Sequence, residues 1–201
     1  MCCRYWADES PEIREIAEQM NNSPLLKRWP EPQRIRRFGE VRPGDTAAVI
    51  APDRRGKQAV FPMKWGFPGK NLLLNARSET AAVRPAFRES WEKRRCAVPA
   101  SWYFEWEHVT GPDGKKRTGD KFLLWPRGER LTWLCGMYRA EEGLPVFVIL
   151  TREPGERLRF LHDRMPLILP ERLVSKWIRP DAHPEDFLES AITEMDFERV
   201  I

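Results

Sequence analysis

The 201-residue chain carries 34 Lys+Arg against 30 Asp+Glu, three His and four Cys, and is 41% hydrophobic and 32% charged. That is enough apolar material for a core and too much for a disordered chain, while no apolar run approaches the roughly 18–20 residues of a membrane helix. Two of the cysteines are adjacent and no C-x-x-C pair is present, so neither a disulfide scaffold, a zinc site nor any cofactor is expected. The opening Met1-Cys-Cys-Arg-Tyr-Trp-Ala-Asp-Glu-Ser10 lacks an apolar signal region, which points to a cytoplasmic protein. The length suits one domain spanning 1–201. The net charge of +4 is mild, but arginine outnumbers lysine and nine tryptophans accompany it. Both residue types serve phosphate contact and base stacking, though either is ordinarily surface or core.

Ser10 as N-cap, Pro11 in the first turn and Ile13, Ile16, Ala17 and Met20 on one face predict a helix over 11–22. A Pro- and Arg-rich strap follows over 27–37. Strands are expected at 46–51 and 59–67, then a helix near 79–91 interrupted around Pro85. Further strands are expected at 96–99, 102–106, 122–125, 131–138 and 146–150, with Gly111-Pro-Asp-Gly114 as a turn. A helix over 154–161, a strand over 166–169 and helices near 171–178 and 184–193 complete the reading. Strands in the middle and helices on the flanks give the α+β class.

Cys2 follows the initiator Met. Once Met1 is removed, the chain begins with a free α-amine and a thiol on one residue. Such a 1,2-aminothiol forms an imine with an aldehyde and closes it to a thiazolidine, or attacks an acyl carbon as an N-terminal nucleophile. Glu105 lies between Phe104 and Trp106; burial there would raise its pKa and suit it to proton transfer, whereas an outward-facing strand position would leave it structural. His162, in Leu161-His-Asp-Arg-Met-Pro166, stands where a helix is expected to give way to a strand. Asn75 either orients a reacting group or caps the following helix. His108 and His183 lie in turn-like surroundings and attract no role.

Together these fragments resemble the SRAP family (SOS response-associated peptidase, abasic-site processing proteins). The resemblance rests on Met1-Cys2 with Arg4, Lys64-Trp-Gly66, Asn75-Ala-Arg-Ser-Glu-Thr80, Arg95-Cys-Ala-Val-Pro99 with Trp102-Tyr-Phe-Glu-Trp106, Val148-Ile-Leu-Thr-Arg152 and Leu161-His-Asp-Arg-Met-Pro166. It implies an α+β domain with a barrel-like β core and flanking helices. It also implies covalent capture of abasic sites in single-stranded DNA by Cys2, as part of the DNA damage response. Asn75, Glu105 and His162 match the family's other catalytic positions. Arg4, Arg77, Thr151 and Arg164 match DNA contacts, and Trp65, ahead of a loop shortened to Phe67-Pro-Gly-Lys-Asn71, is grouped with them. The expected partner is abasic single-stranded DNA, bound by a monomer that associates with the nucleoid during damage, with no metal and no membrane. Two other classes compete: an N-terminal-nucleophile peptidase or amidohydrolase, minimally removing its own Met1, and a non-enzymatic single-strand-binding module. Cys3 and Glu40 depart from the family pattern; a carboxylate at position 40 is expected to repel phosphate.

Overall fold

The computed structural model describes residues 3–200, apart from the side chain of residue 116; Met1, Cys2 and Ile201 lie outside the described residues. In chain order the elements are β1 (Arg4–Ala7), α1 (Pro11–Asn21), β2 (Gly39–Val41), β3 (Thr46–Pro52), β4 (Gln58–Trp65), β5 (Asn75–Arg77), α2 (Ser78–Ala81), α3 (Arg88–Lys93), β6 (Arg95–Ala100), β7 (Trp102–Thr110), β8 (Lys116–Pro126), β9 (Thr132–Glu141), β10 (Leu144–Arg152), β11 (Met165–Pro166), α4 (Glu171–Trp177) and β12 (Met195–Val200). The class is α+β, and among the described residues no helix is long and apolar enough to cross a membrane.

Five strands close on themselves. β4 pairs β3, β3 pairs β6, β6 pairs β9, β9 pairs β10, and β10 returns to β4 in the one parallel contact of the ring. Closure removes the unpaired edges that an open sheet of these apolar strands would present. A second, five-stranded sheet runs β12-β8-β7-β1-β2. Alternation along the strands feeds two cores. Cys96, Val98, Leu134, Phe147 and Ile149 pack with Tyr5, Tyr103 and Leu124 of the second sheet. Their neighbours Ala97, Cys135, Val148 and Leu150 pack with Ile13 and Ile16 of α1 and with Val174 and Trp177 of α4.

α1 forms as its periodicity predicts, burying Ile13, Ile16, Ala17 and Met20. Each such burial contributes up to about 1.5–3 kcal/mol for the larger side chains. Its start differs in detail: the Ser10 hydroxyl makes no capping bond, and the Ser10 N–H instead donates to Asp8 Oδ1 at 3.0 Å. The helix expected around Pro85 is indeed split, into α2 and α3. Two expected helices shrink to single 3-10 turns, at Glu156–Leu158 and Pro184–Phe187. Arg95, at the head of β6, is fully buried. Its guanidinium donates to the carbonyls of Trp91 and Glu92 at the end of α3, and to those of Trp177, Arg179 and Ala182 at and beyond the end of α4.

Candidate active site

β10 changes partners along its length, and the change builds the site. Its first half is closed into the ring, whereas Ile149, Leu150 and Thr151 run parallel to Asn75, Ala76 and Arg77 of β5. On its other edge Thr151 pairs Pro166 of β11. Three motifs distant in sequence thus converge: 75–80, 148–152 and 161–166. Leu74 secures the entry to β5, its carbonyl accepting from both Trp65 Nε1 (3.0 Å) and the Ile149 N–H (3.1 Å).

The second sheet brings up the other half. β1 pairs β7 in the register Arg4–Phe104, Tyr5–Tyr103 and Trp6–Trp102, so the chain enters alongside Glu105. Glu105 is 4% exposed, and burial raises its carboxyl above the ordinary range, with the charge of Asp163 adding to the rise. The Cys3 thiol is likewise raised, first by burial and then by the negative charge of Glu105. A carboxyl that holds its proton more tightly than usual is suited to accept and return one near neutrality. Cys2 itself lies outside the described residues.

His162 sits in the loop before β11 with its side chain 10% exposed. The Arg164 N–H donates to His162 Nδ1 at 3.0 Å, while Asp163 Oδ1 stands 2.5 Å from the same nitrogen. A bare Nδ1 suits the Arg164 N–H, and a protonated one suits Asp163. Burial outweighs Asp163 and brings His162 down to about 4, so at neutral pH the imidazole is uncharged.

The arginines fall into two kinds. Arg164 is buried, and its Nη atoms grip Glu79 at 2.9 and 2.8 Å and the Thr151 carbonyl at 2.7 Å. Arg77 is exposed and lines a cleft of about 510 Å³ with Arg159, Arg164, Glu153, Pro154 and Asp163. Arg4 pairs Glu40 at 3.0 Å and lies 5.3 Å over the Trp106 ring. Glu40 also meets Arg42 at 2.5 Å and Lys121 at 3.9 Å. Burial works against its charged form, yet the bond from Arg42 and the charge of Arg4 hold the carboxyl below its usual value. Its negative charge is thus compensated by three cations, which tempers the phosphate repulsion expected of it.

Two sequence-derived DNA contacts need correction. Trp65 is 0% exposed, stacked on Phe147 with centroids 6.0 Å apart and rings 12° from parallel. It is a core residue that offers no face to DNA. Thr151 is also fully buried, its hydroxyl 3.4 Å from the Ala76 carbonyl, and it supports the β5–β10 junction from within. Sequence reasoning passed over Glu79, which holds Arg164, and His108, whose ring lies against His162 with centroids 4.3 Å apart. Glu79 stands inside a quoted motif at a helix start, the signal that could have flagged it. His108 carries no such local mark.

The family model for SOS response associated peptidase (SRAP) matches residues 1–200. Abasic site processing protein YoaM of Bacillus subtilis is 32% identical over 129 residues, 62% of this chain and 55% of that protein. The alignment with that relative thus spans about half of the relative's length. Abasic site processing protein YedK of Escherichia coli is 28% identical over 204 residues, covering 95% of this chain and 85% of YedK. Among solved structures, a protein from Bacteroides thetaiotaomicron superimposes with a TM-score of 0.74 at 20% identity, covering 100% of this chain and 92% of its own, a likeness of fold. A phage-related protein from Bordetella bronchiseptica gives 0.71 at 21% identity, covering 99% and 94%. Matched along residues 1–200, the chain belongs to the SOS response associated peptidase (SRAP) family.

Proposed function

We propose that this protein captures the ring-opened aldehyde of an abasic site in single-stranded DNA through Cys2, after Met1 has been removed. The observation that carries the reading is Glu105: a buried carboxyl whose charge acts on the Cys3 thiol, on the strand paired with the one leading back to Cys2. The printed names of the relatives, abasic site processing proteins, support the same substrate.

The α-amine of Cys2 attacks the aldehyde carbon, and departure of one water leaves an imine. The thiol sulfur then adds to the imine carbon and the nitrogen takes up the thiol proton, closing a thiazolidine. One aldehyde and one aminothiol give one ring and one water, so no oxidant or reductant is needed. Glu105 accepts the proton of the α-ammonium group and returns it to the departing oxygen. His162, uncharged at neutral pH, accepts the 1′-hydroxyl proton of the sugar as the ring C–O bond breaks and returns a proton to the ring oxygen, so the abasic residue opens to its aldehyde with no net gain or loss of protons. Asn75 orients the reacting groups, and Arg77 and Arg4 hold the flanking phosphates. Arg164 and Thr151 act beneath them, fixing the 161–166 loop to β10. Because intact DNA has no aldehyde, selectivity for the lesion requires no reading of bases.

The test is incubation with a single-stranded oligonucleotide bearing one abasic site, followed by denaturing electrophoresis. A heat-stable shifted band is expected, and Cys2→Ala should abolish it, leaving only an imine that borohydride traps. Cleavage of a peptide with no DNA adduct would favour the amidohydrolase class, and salt-reversible binding alone a non-enzymatic module.

A further inference from the structure

β7 and β8 pair regularly up to Trp106–Lys121 and resume at His108–Thr118, so β8 carries one extra residue between those pairs. Such a bulge sharpens the local twist and re-aims the residues beyond it. Past it, the His108 N–H leaves the sheet and donates to the Leu161 carbonyl at 3.2 Å. The His108 ring then lies on that of His162, centroids 4.3 Å apart and planes 56° apart. His108 is exposed while His162 is mostly covered, so His108 is part of the cover.

We propose that His108 is a positioning residue for the abasic-site reaction: packed on His162 and bonded to Leu161, it fixes the imidazole at the site and opposes its protonation by like charge. The inference rests on the function proposed above. The groups facing His162 are His108 from β7, Asp163 and the Arg164 N–H from its own loop, and, in the proposed chemistry, the α-amine of Cys2. Of these only Asp163 favours an imidazolium, and Asp163 is largely in water. His108 supplies both a ring face packed on His162 and a like charge that holds the imidazole below its ordinary value.

The experiment compares the full-length protein with His108→Ala and His108→Phe. It reads crosslinking rate on an abasic single strand from acid to neutral pH and the NMR titration midpoint of His162 without DNA. In His108→Ala the His162 midpoint should rise toward the ordinary histidine value, and the acid limb of the rate profile should move up with it. Its plateau rate should fall several-fold, with binding of undamaged single strands unchanged. His108→Phe keeps a ring against His162 and should restore the plateau. An unchanged midpoint with wild-type rates in His108→Ala overturns the proposal, and so does an equal plateau loss in both variants. If the wild type forms no crosslink, the proposed function fails instead, while the NMR midpoint still tests the histidine pair.

Discussion

Two neighbouring parts of the site are built on opposite electrostatic terms. Around Arg164, Glu79 and the Thr151 carbonyl answer the Nη groups, and the Arg164 charge holds the Glu79 carboxyl below its usual value against the effect of burial. A few residues away, Glu105 and His162 are each pushed toward their uncharged forms by burial. The first arrangement ties loop to sheet, while the second keeps two groups ready to change protonation. The same stretch of chain, 161–166, supplies both, so the rigid node sets the place of the reactive one.

The contrast predicts unequal responses to mutation. Glu105→Gln removes the proton acceptor with little change of shape, and crosslink formation should slow on the order of 10²-fold. The same variant should be more stable than wild type at neutral pH. A folded-state value raised above the unfolded one makes a carboxyl cost stability as pH climbs through that interval, and the amide escapes this cost. Melting curves taken across pH check it; a Glu105→Gln protein less stable than wild type at neutral pH would overturn this expectation.

His162 should act on stability with the opposite slope. Its folded value of about 4 lies below the ordinary 6.5, so the unfolded chain binds the extra proton first. Stability is therefore full above about pH 6.5 and declines as pH falls toward 4, by at most about 3 kcal/mol from this group. His162→Gln should flatten that acid decline, as chemical denaturation at several pH values would show. On the paired side, Glu79→Ala leaves the buried Arg164 charge without its carboxylate. Because Glu79 is half exposed, the loss should be about 1–2 kcal/mol rather than the larger cost of a fully buried pair. It should appear at all pH values where the carboxylate is ionised. Smallest of all, Arg77→Ala should weaken single-strand binding modestly and reduce the salt slope by about 0.7, one phosphate contact's worth. A salt titration that leaves the slope unchanged would take Arg77 out of the DNA path.

Local pattern and tertiary placement were not equally legible in the chain. The apolar spacing of α1 and the short apolar runs of β3, β9 and β10, buried on both faces, are visible because burial acts on whole local segments. β12 was not foreseen: in Met-Asp-Phe-Glu-Arg-Val only part of the pattern is apolar, since it lies at the edge of the second sheet and its last residues face solvent. The expected helix over 184–193 failed beyond Phe187, where the chain instead turns back so that the Ile192 N–H reaches the Ile168 carbonyl. In the site, Glu105 between two aromatic residues left a buried and an outward-facing position both open, and the structure buries it. Trp65 misled because a tryptophan beside a glycine in a quoted motif says nothing about which side of the sheet it fills. His108 was dismissed because both the bulge and the partner that give it meaning lie outside its own segment.

Arg95 has a consequence for how the chain tolerates change. All five of its acceptors are main-chain carbonyls, so its hydrogen bonds register where α3 and α4 end, while the Trp177 ring, 5.5 Å away, and the charges of Glu185 and Asp181 are the side chains it feels. The side chains of Lys93 and Arg179 can therefore drift among sequences at little expense to these bonds. Adding or deleting a single residue in either segment would instead rotate the carbonyls away and strand a buried cation. The hydrogen bonds of this arginine are insensitive to spelling and sensitive to length.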